Sequence, residues 1–475
     1  MKNTQAIWDL VDQHRASFVA LADTVWATPE TCYMETRSAA AHEAALREHG
    51  FSVRTGLADI PTSVVGEAGS TGPVIAFLGE FDALPGLSQE AGSATHTPVQ
   101  AGGNGHGCGH NLLGAGSLLA ARALKDYLEA NNLPGRVRYY GCPAEEGGGA
   151  KAFMVRAGLF DDVDIAITWH PGIFAEVTRR SSLANTRIDF TFTGRAAHAS
   201  SAPHLGRSAL DAVELTNVGC NYLREHVPTD TRMHYAILDA GGIAPNVVQA
   251  RAKVRYSVRS STVESMLDVL ARVQDVARGA ALMTGTSVEI KIISSVANLI
   301  NNAPLQGAMS AALAELGPPQ FSAEDESFAR AIQATLSPEH IRHDYERYAM
   351  PPRDDKALAD FLIPADIAVP TAGVASTDLA DVSWVVPTVQ LDGANFAIGT
   401  PFHSWQLVAQ GKSAAAHNGM IHAAKVMAAT AVKALEDASL REAAAAALNQ
   451  VAGRARYKTA IPDGALPPIA DMTAS

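Results

Sequence analysis

The sequence predicts an α/β protein in which a mostly parallel sheet is interrupted by a smaller α+β unit. Short apolar segments alternate with helical patterns in the first part of the chain, which is typical of a parallel sheet covered by helices on both faces. After about Leu183 the order changes to strand, helix, strand, strand, helix, strand. This βαββαβ order is that of a ferredoxin-like unit with an antiparallel sheet. The first pattern resumes after Asn301, so the small unit is predicted to be an insertion.

The first part of the chain supplies most of the predicted parallel sheet. Apolar residues recur at helical spacing over 7–25, and a second helical pattern over 38–47 ends before Gly50, a residue that suits a helix C-terminus. A longer helical pattern extends from 112 to about 129. Apolar runs bounded by turn residues predict strands at 73–79, 137–140 and 163–168.

The insertion and the end of the chain show the same two periodicities. Within the insertion we expect strands at 187–192, 233–238, 247–258 and 287–293, with helices at 208–223 and 263–282. Beyond it we expect a strand at 388–391, a helix at 407–435 and a partly helical excursion in the proline-rich, charged segment 318–364. The predicted domains are a larger one, made of 1–185 and 300–475, and an inserted one at 186–299.

The composition excludes several classes of protein. The 475 residues are 47% hydrophobic and 18% charged, which is ordinary for a folded protein. The formal charge of −12 argues against binding along a nucleic-acid backbone, because no basic surplus exists to displace counterions, but it permits a small anionic substrate. No stretch approaches the roughly 20 apolar residues of a membrane span, and four cysteines are too few for a disulfide scaffold. We therefore expect a cytoplasmic protein without membrane segments.

A glycine-rich loop at 105–111 contains residues that suggest chemistry. Its glycines allow a tight turn, and the thiolate of Cys108 and the imidazole of His110 are good zinc ligands. In parallel sheets, bound molecules lie beyond the carboxyl ends of the strands, so we expect polar side chains at those ends to lie close together. Four such residues directly follow predicted strands: Asp82, Glu145, Glu146 and His170.

The pair Glu145 and Glu146 suggests how a metal site could act. Adjacent carboxylates are often solvated surface residues, but this pair follows an apolar strand and precedes three glycines, which is a poor setting for a surface helix. One carboxylate can bind a metal while its neighbour accepts a proton from water that the metal has acidified. Other chemistries fit less well, because there is no Gly-x-Ser-x-Gly motif and no complete phosphate loop. A buried strand-end thiol is a better interpretation of Cys142 than a nucleophile.

Six segments resemble the metal-dependent aminoacylase/carboxypeptidase family, which includes bacterial glutamate carboxypeptidase and auxin-conjugate amidohydrolases. They occur in order along most of the chain: GEFDALP at 79–85, GCGH at 107–110, PAEEG at 143–147, WHP at 169–171, FTGRAAHA at 192–199 and GTPFHS at 399–404. Within the family, 109–111 and 376–384 resemble a subgroup that hydrolyses p-aminobenzoyl-glutamate. The resemblance implies a metallo-exopeptidase catalytic domain with an inserted ferredoxin-like domain that serves as a lid and in dimerisation.

The resemblance also implies a role for each candidate residue. Glu145 matches the general base that later protonates the leaving amine, and His198 matches the residue that stabilises the oxyanion, often in the active site of the partner protomer. Asn246 and Arg259 match residues that hold the substrate's carbonyl and carboxylate, and His204 is a further candidate for that pocket. The residues that match the ligands of two divalent ions, zinc or manganese, are Cys108, His110, Glu146, His170 and His403.

The expected substrate is a small anionic N-acyl amino acid. The first choice is p-aminobenzoyl-glutamate, cleaved to p-aminobenzoate and glutamate. Two alternatives stay open: a dipeptidase or another N-acyl-amino-acid hydrolase, and a non-catalytic partner subunit of a heteromeric hydrolase. We expect a homodimer, or a heteromer with a homologous subunit.

The role of several residues stays open at this point. Many relatives have Asp where Asn111 stands and His where Leu113 stands, so a charge near the metals is lost here. His106 is a further candidate ligand or a donor to one. Arg259 alternates with other basic residues along one predicted strand, as a solvated face would, so its proposed role requires it to face the cleft.

Overall fold

Two β-sheets organise the chain in the computed structural model, which describes residues 4–363, 367, 373 and 375–473. The helices are α1 (Thr4–Trp26), α2 (Thr36–Glu48), α3 (His110–Asn131), α4 (Ala150–Arg156), α5 (Ala209–Leu223), α6 (Val263–Thr284), α7 (Ala303–Leu316), α8 (Ala323–Gln333), α9 (Pro338–Glu346), α10 (Leu379–Ser383), α11 (Trp405–Gln410), α12 (Ala414–Glu436), α13 (Ala438–Val451) and α14 (Ile469–Thr473). The strands are β1 (Ser52–Thr55), β2 (Val64–Ala68), β3 (Val74–Glu80), β4 (Arg136–Cys142), β5 (Ile165–His170), β6 (Glu176–Val177), β7 (Ala184–Thr193), β8 (Arg232–Asp239), β9 (Arg251–Ser260), β10 (Ser287–Val296) and β11 (Thr388–Asp392).

The larger sheet has its strands in the order β1-β2-β4-β3-β5-β11-β6. The four central strands β4, β3, β5 and β11 pair in parallel, whereas the strands on either side pair antiparallel. Every residue of β3 is buried, as expected for a central strand covered on both faces. The prediction of a mostly parallel sheet is confirmed for this centre. Strands β3 and β4 end side by side, with Glu80 opposite Cys142, so the segments that follow them lie together.

Helix α3 lies against β3 and begins at this same edge of the sheet. The close approach depends on Gly114, because a Cβ atom there would lie only 2.6 Å from the carbonyl oxygen of Glu80. Helices α1 and α12 pack against α3, and their apolar side chains join one core with those of the sheet. Among the described residues, no helix is both long and apolar enough to cross a membrane.

The strands β7, β8, β9 and β10 form a separate sheet in the order β10-β7-β9-β8, and every neighbouring pair is antiparallel. Helices α5 and α6 cover one face of it, where Val213, Met266 and Val273 are buried. The chain order β7-α5-β8-β9-α6-β10 is the predicted βαββαβ order. The domain limits 186–299 stay a prediction, since the strands of this sheet extend from Ala184 to Val296.

The prediction of a single helix over 407–435 is wrong. Helices α11 and α12 share this stretch and are separated at 411–413. The hydroxyl of Ser413 accepts a hydrogen bond from the amide of Ala416 at 3.1 Å, and this cap begins a new helix. The sequence patterns also failed to reveal β1, β2 and β6, which have 4, 5 and 2 residues.

The segment 318–364 is partly helical as predicted and contains α8 and α9, although its last residue, 364, lies outside the described residues. It packs against the loop that precedes α11. The amide of Gly399 donates to Asp344 Oδ2 at 2.7 Å, and the amide of Ile398 donates to the carbonyl of Ala357 at 2.8 Å. The excursion therefore supports the loop that carries His403.

Candidate active site

The candidate site lies where β3, β4 and β5 end and α3 begins. Cys108 lies in the loop before α3, His110 is the first residue of that helix, and His170 is the last residue of β5. Glu146 lies in the turn after β4, and His403 lies in the loop before α11 with a φ of 59°. A left-handed conformation at a non-glycine residue costs free energy and is typical of functional sites.

The structure brings all five predicted metal ligands together in two groups that share Cys108. In each group the potential ligand atoms lie within 4.8 Å of one another. The Sγ atom of Cys108 is 3.5 Å from Nε2 of His170, and Nε2 of His403 is 3.3 Å from Oε2 of Glu146. The groups are Cys108 with His110 and His170, and Cys108 with Glu146 and His403.

Hydrogen bonds orient His110, which is buried, and His170, which is half-buried, so that one nitrogen of each faces the site. Nδ1 of His110 bonds Oδ1 of Asp82 at 2.9 Å, and Nδ1 of His170 bonds the carbonyl of Pro171 at 2.8 Å. In both rings Nε2 is the atom turned toward the cluster, an arrangement common among metal-bound histidines. Burial alone would lower the pKa of His110, but Cys108 and Asp82 raise it well above its usual value. The sequence placed Asp82 at the end of a strand without assigning it this role.

Several buried polar atoms of the cluster have no hydrogen-bond partner. They are Nε2 of His110, Oε1 of Glu146 and Oε2 of Glu80. Burial also raises the pKa of the Cys108 thiol well above its usual value, and a nearby cation is what turns such a thiol into a thiolate. Unsatisfied buried nitrogen and oxygen atoms around a thiol are a donor set that fits divalent metal ions.

Glu145 lies beside the cluster in a turn that a buried carboxylate supports. The turn contains Ala144 at φ 57°, and Oε1 of Glu35 accepts a hydrogen bond from the Ala144 amide at 2.9 Å. Oε2 of Glu35 accepts a hydrogen bond from the hydroxyl of Thr62 at 3.0 Å. Burial, with further contributions from Glu80 and Glu146, raises the pKa of Glu145 well above its usual value. The motif around 143–147 revealed Glu145, but nothing in the sequence revealed Glu35.

A buried ion cluster lies behind the site. Nζ of Lys151, the second residue of α4, is 2.5 Å from Oε1 of Glu80 and 2.5 Å from Oδ1 of Asp378. All three side chains are buried. Sequence reasoning assigned these residues no role, although a lone lysine within the apolar run 150–155 indicates a buried partner.

The structure does not bring three of the candidates from the inserted sheet to this cluster. His198, His204 and Asn246 are exposed, and none belongs to the groups of ligand atoms found among the described residues. His198 and Asn246 lie on adjoining loops, because the amide of Ala199 donates to the carbonyl of Asn246 at 2.9 Å.

Arg259 lies on the helix-free face of the inserted sheet, beside the cluster. On the same face Lys253 and Arg255 bind Asp189 at 2.6 and 2.7 Å, whereas no carboxylate among the described residues lies within 4.0 Å of Arg259. Burial and the neighbouring Arg187 lower the pKa of Arg259. Arg187 itself donates a hydrogen bond to the carbonyl of Glu146 at 3.2 Å. This contact places Arg187 and Arg259 next to the turn after β4 that carries Glu146.

Three other residues have structural surroundings. His106 is buried and bonds the carbonyl of Val25 in α1 at 3.0 Å. Asn111 is turned away from the cluster, since its Nδ2 donates to the carbonyls of Ala22 and Gly411 at 3.4 and 3.1 Å. Cys142 is a fully buried thiol at the end of β4, as predicted.

Comparison with known proteins identifies relatives along nearly the whole chain. Residues 76–345 match the model of peptidase family M20/M25/M40. The chain is 44% identical to one of the p-aminobenzoyl-glutamate hydrolase subunits of Escherichia coli (strain K12) over 469 residues, 97% of each protein. The other p-aminobenzoyl-glutamate hydrolase subunit of that strain is 33% identical over 240 residues, which are 48% of this chain and 54% of that protein. A solved Bacillus subtilis structure, described as a dinuclear metal binding peptidase from the M20 family, has a TM-score of 0.53 at 17% identity and covers 89% of this chain and 99% of its own.

These relationships agree with the fold. The family model covers more than half of the chain, and the 44% identical relative is matched almost from end to end. The solved structure supports the same overall fold. The resemblance seen in the sequence motifs is thereby confirmed: the chain belongs to peptidase family M20/M25/M40 and is a hydrolase that acts on amide bonds.

Proposed function

We propose that this chain is a metal-dependent amidohydrolase that cleaves p-aminobenzoyl-glutamate to p-aminobenzoate and glutamate. The observation that carries the proposal is the pair of ligand groups that share Cys108, with Glu145 beside them. The 44% identity to a p-aminobenzoyl-glutamate hydrolase subunit over 97% of both proteins supports the substrate. A non-catalytic role is less well supported, because a scaffold needs no general base next to its metal ligands.

The proposed cofactors are two divalent ions, zinc or manganese. Cys108, His110 and His170 would hold one of them, and Cys108, Glu146 and His403 would hold the other. When bound, such ions polarise the scissile carbonyl and make water more acidic. Glu145 takes the proton of the attacking water and passes it to the leaving amine. Thiolate and imidazole ligands favour zinc, while the carboxylate also accepts manganese.

His198 is the proposed donor to the oxyanion that forms on the substrate. Its Nδ1 accepts hydrogen bonds from the amides of Ser200 and Ser201 at 3.3 and 3.2 Å. A neutral ring that accepts at Nδ1 carries its proton at Nε2, so the exposed nitrogen is a hydrogen-bond donor. Because His198 is exposed and separate from the ligand groups of its own chain, we propose that it acts in the site of a partner protomer.

Arg259 is the proposed contact for the glutamate carboxylate of the substrate. It is half-buried beside Arg187 and has no carboxylate partner among the described residues, so an anionic ligand would relieve the repulsion between the two cations. Asn246 and His204 are proposed to contact the rest of the substrate from the inserted domain, 186–299. These exposed residues reach a substrate only when that domain closes over the site or a partner presents them.

The free edge of the inserted sheet is the proposed contact with a second protomer. Strand β8 is outermost in that sheet, and an open strand edge favours association. Large apolar side chains are exposed there, Tyr235 and Ile237 on β8 and Val218 and Tyr222 on α5. A homodimer is our first choice. A heteromer with a homologous subunit is the second, since the two E. coli relatives are named as different subunits of one hydrolase.

The four free cysteines fit our proposal that the enzyme works in the cytoplasm.

The test is turnover by the purified chain alone. With zinc or manganese added, we expect release of p-aminobenzoate from p-aminobenzoyl-glutamate, and slower hydrolysis of dipeptides and of other N-acyl amino acids. Elemental analysis of the active protein identifies the metal. Turnover that requires an added homologous subunit would contradict a self-sufficient enzyme, and faster cleavage of another conjugate would contradict the substrate.

A further inference from the structure

A third group of ligand atoms lies beside the two groups that share Cys108. Glu80, His110 and Glu145 each offer one atom, and these atoms lie within 4.8 Å of one another. Glu80 is the last residue of β3, and only 6% of its surface is exposed. Nothing in the proposed function uses this carboxylate.

The two oxygens of Glu80 have different surroundings. Oε1 accepts a hydrogen bond from Nζ of Lys151 at 2.5 Å, whereas Oε2 lies 3.2 Å from Nε2 of His110. Both Oε2 and Nε2 are buried and have no hydrogen-bond partner. Nδ1 of the same ring is occupied by Asp82, so Nε2 is the nitrogen left for another ligand. A buried carboxylate oxygen and a buried imidazole nitrogen that lie 3.2 Å apart and both lack a hydrogen-bond partner can be satisfied by one shared cation.

Lys151 explains how Glu80 is held in this direction. Its ammonium lies between Glu80 and Asp378, and Oδ2 of Asp378 also accepts a hydrogen bond from the Lys151 amide at 2.9 Å. One buried cation is thus shared by two buried carboxylates, so the trio retains a net negative charge. That charge is directed at the metal ligands, because Oε2 of Glu80 is the free oxygen of the trio that faces His110.

We propose that Glu80, through Oε2, is an additional ligand of the metal ion that His110 holds, and that Lys151 positions it. This inference rests on the proposed function. Oxygen ligands suit manganese, whereas thiolate and imidazole suit zinc, so a carboxylate added to Cys108, His110 and His170 shifts the site toward manganese. Glu80 is therefore a residue that sets the metal preference of the enzyme.

The test compares Glu80→Gln with Asp378→Asn. Each variant removes one of the two carboxylates on Lys151, but only Glu80 faces His110. Metal-free proteins are titrated with Mn²⁺ and separately with Zn²⁺ by calorimetry, without substrate. In Glu80→Gln we expect one of the two sites to bind Mn²⁺ about tenfold or more weakly, with a smaller loss for Zn²⁺. Asp378→Asn is expected to bind both ions like the unchanged protein.

Unchanged Mn²⁺ affinity in Glu80→Gln would overturn the inference. Equal losses in both variants would also overturn it, because the effect would then come from the surroundings of Lys151. Thermal melting of the metal-free proteins checks folding. If Glu80→Gln does not fold, Glu80→Asp takes its place, since it keeps the charge but shortens the reach, and the same loss of Mn²⁺ affinity is expected. If the unchanged protein binds no metal ions, the proposed function itself is contradicted. If the unchanged protein and Glu80→Gln both bind two ions with equal affinity and both have full turnover, only the role of Glu80 is contradicted.

Discussion

The candidate metal-binding edge of the large sheet and the loops of the inserted sheet are built in different ways. At the sheet edge, His110 and Asp82 are buried, Asp82 fixes the orientation of the His110 ring, and Cys108 lies half-buried beside them. On the inserted sheet, His198 and Asn246 are exposed, and no described contact brings them to the ligand groups. One chain therefore brings the proposed metal ligands together by itself, whereas the groups proposed to hold the substrate would need domain closure or a second protomer.

The difference has an energetic reason. Buried nitrogen and oxygen atoms without partners destabilise the folded protein until a ligand satisfies them, so the surrounding structure must hold them firmly. The exposed side chains of the inserted sheet are satisfied by water and cost little before substrate binds. A site with one fixed half and one open half can take up substrate and then enclose it.

The largest expected effect comes from removing the base in the fixed half. Glu145→Ala should lower kcat about 10²–10⁴-fold, because the attacking water loses its proton acceptor. Elemental analysis should show the metal content of the unchanged protein, since the five proposed ligands remain. Substantial activity in this variant, or loss of its metal, would show that Glu145 does not have the role assigned to it.

The second prediction tests whether the open half comes from a partner. His198→Ala should lower kcat about 10²–10³-fold through loss of an oxyanion donor, while His226→Ala, which removes another exposed histidine of the same domain, should leave activity unchanged. Mixing His198→Ala with Glu145→Ala protomers should restore about a quarter of full activity, because half of randomly mixed dimers are mixed and each has one intact site. If His198 acts within its own chain, mixing restores nothing.

The third prediction concerns the basic face between the two regions. Arg259→Met should raise KM for p-aminobenzoyl-glutamate about tenfold or more and change kcat less, because a carboxylate contact present before and during the reaction is lost. Lys253→Met is the matched control, since that ammonium already binds Asp189 at 2.6 Å. Equal effects of the two substitutions would indicate general charge rather than a specific contact.

Sequence reasoning could place Glu146 and His170 near each other because both directly follow predicted strands, and it singled out Cys108 and His110 as a Cys-x-His pair in a glycine-rich loop. The complete set of proposed ligands, with His403, came from the family resemblance. Their partners were harder to find. Glu80 and Lys151 are 71 positions apart, and their contact depends on how β3 and α4 pack rather than on any local pattern. Glu35 was missed for the same reason, because it reaches the turn at Ala144 from the loop before α2.

Among the elements, long periodic ones were predicted and short ones were not. The helix predicted over 407–435 is apolar along most of its length, and the interruption is marked only by Gly411, which ends α11, and by Ser413, which caps α12. Strand β6 has only two residues, which is too short for periodicity to appear. The open face of the inserted sheet was also beyond prediction, because the alternation of basic residues in β9 does not tell which of them already have carboxylate partners.

The smallest expected effect lies at the junction of the two regions. Asp381 in α10 accepts hydrogen bonds from the amide of Ala297, just after β10, at 3.3 Å and from the hydroxyl of Tyr457 at 2.6 Å. Burial raises the pKa of Asp381 to about 7. The folded protein therefore binds this proton more tightly than the unfolded chain, in which the pKa of an aspartate is about 3.9. Protonated Asp381 therefore contributes fully to the free energy of unfolding below about pH 3.9, the pKa in the unfolded chain. This contribution is lost as the pH rises to about 7, the pKa in the folded protein.

Asp381→Asn removes this dependence, because the side chain no longer titrates. Between about pH 5 and pH 8 the free energy of unfolding of the unchanged protein should fall more than that of the variant, by on the order of 2 kcal/mol. Urea unfolding at several pH values measures the difference. The comparison uses the slope of the free energy of unfolding against pH rather than its value at one pH, because the asparagine side chain of the variant also alters the hydrogen bond to Ala297. Because Ala297 directly follows β10, the protection of that strand against hydrogen exchange, corrected for the intrinsic exchange rate at each pH, should fall as the pH rises to about 7 in the unchanged protein and not in the variant. Parallel pH curves for the two proteins would show that Asp381 is already charged in the folded state and that the junction does not respond to pH.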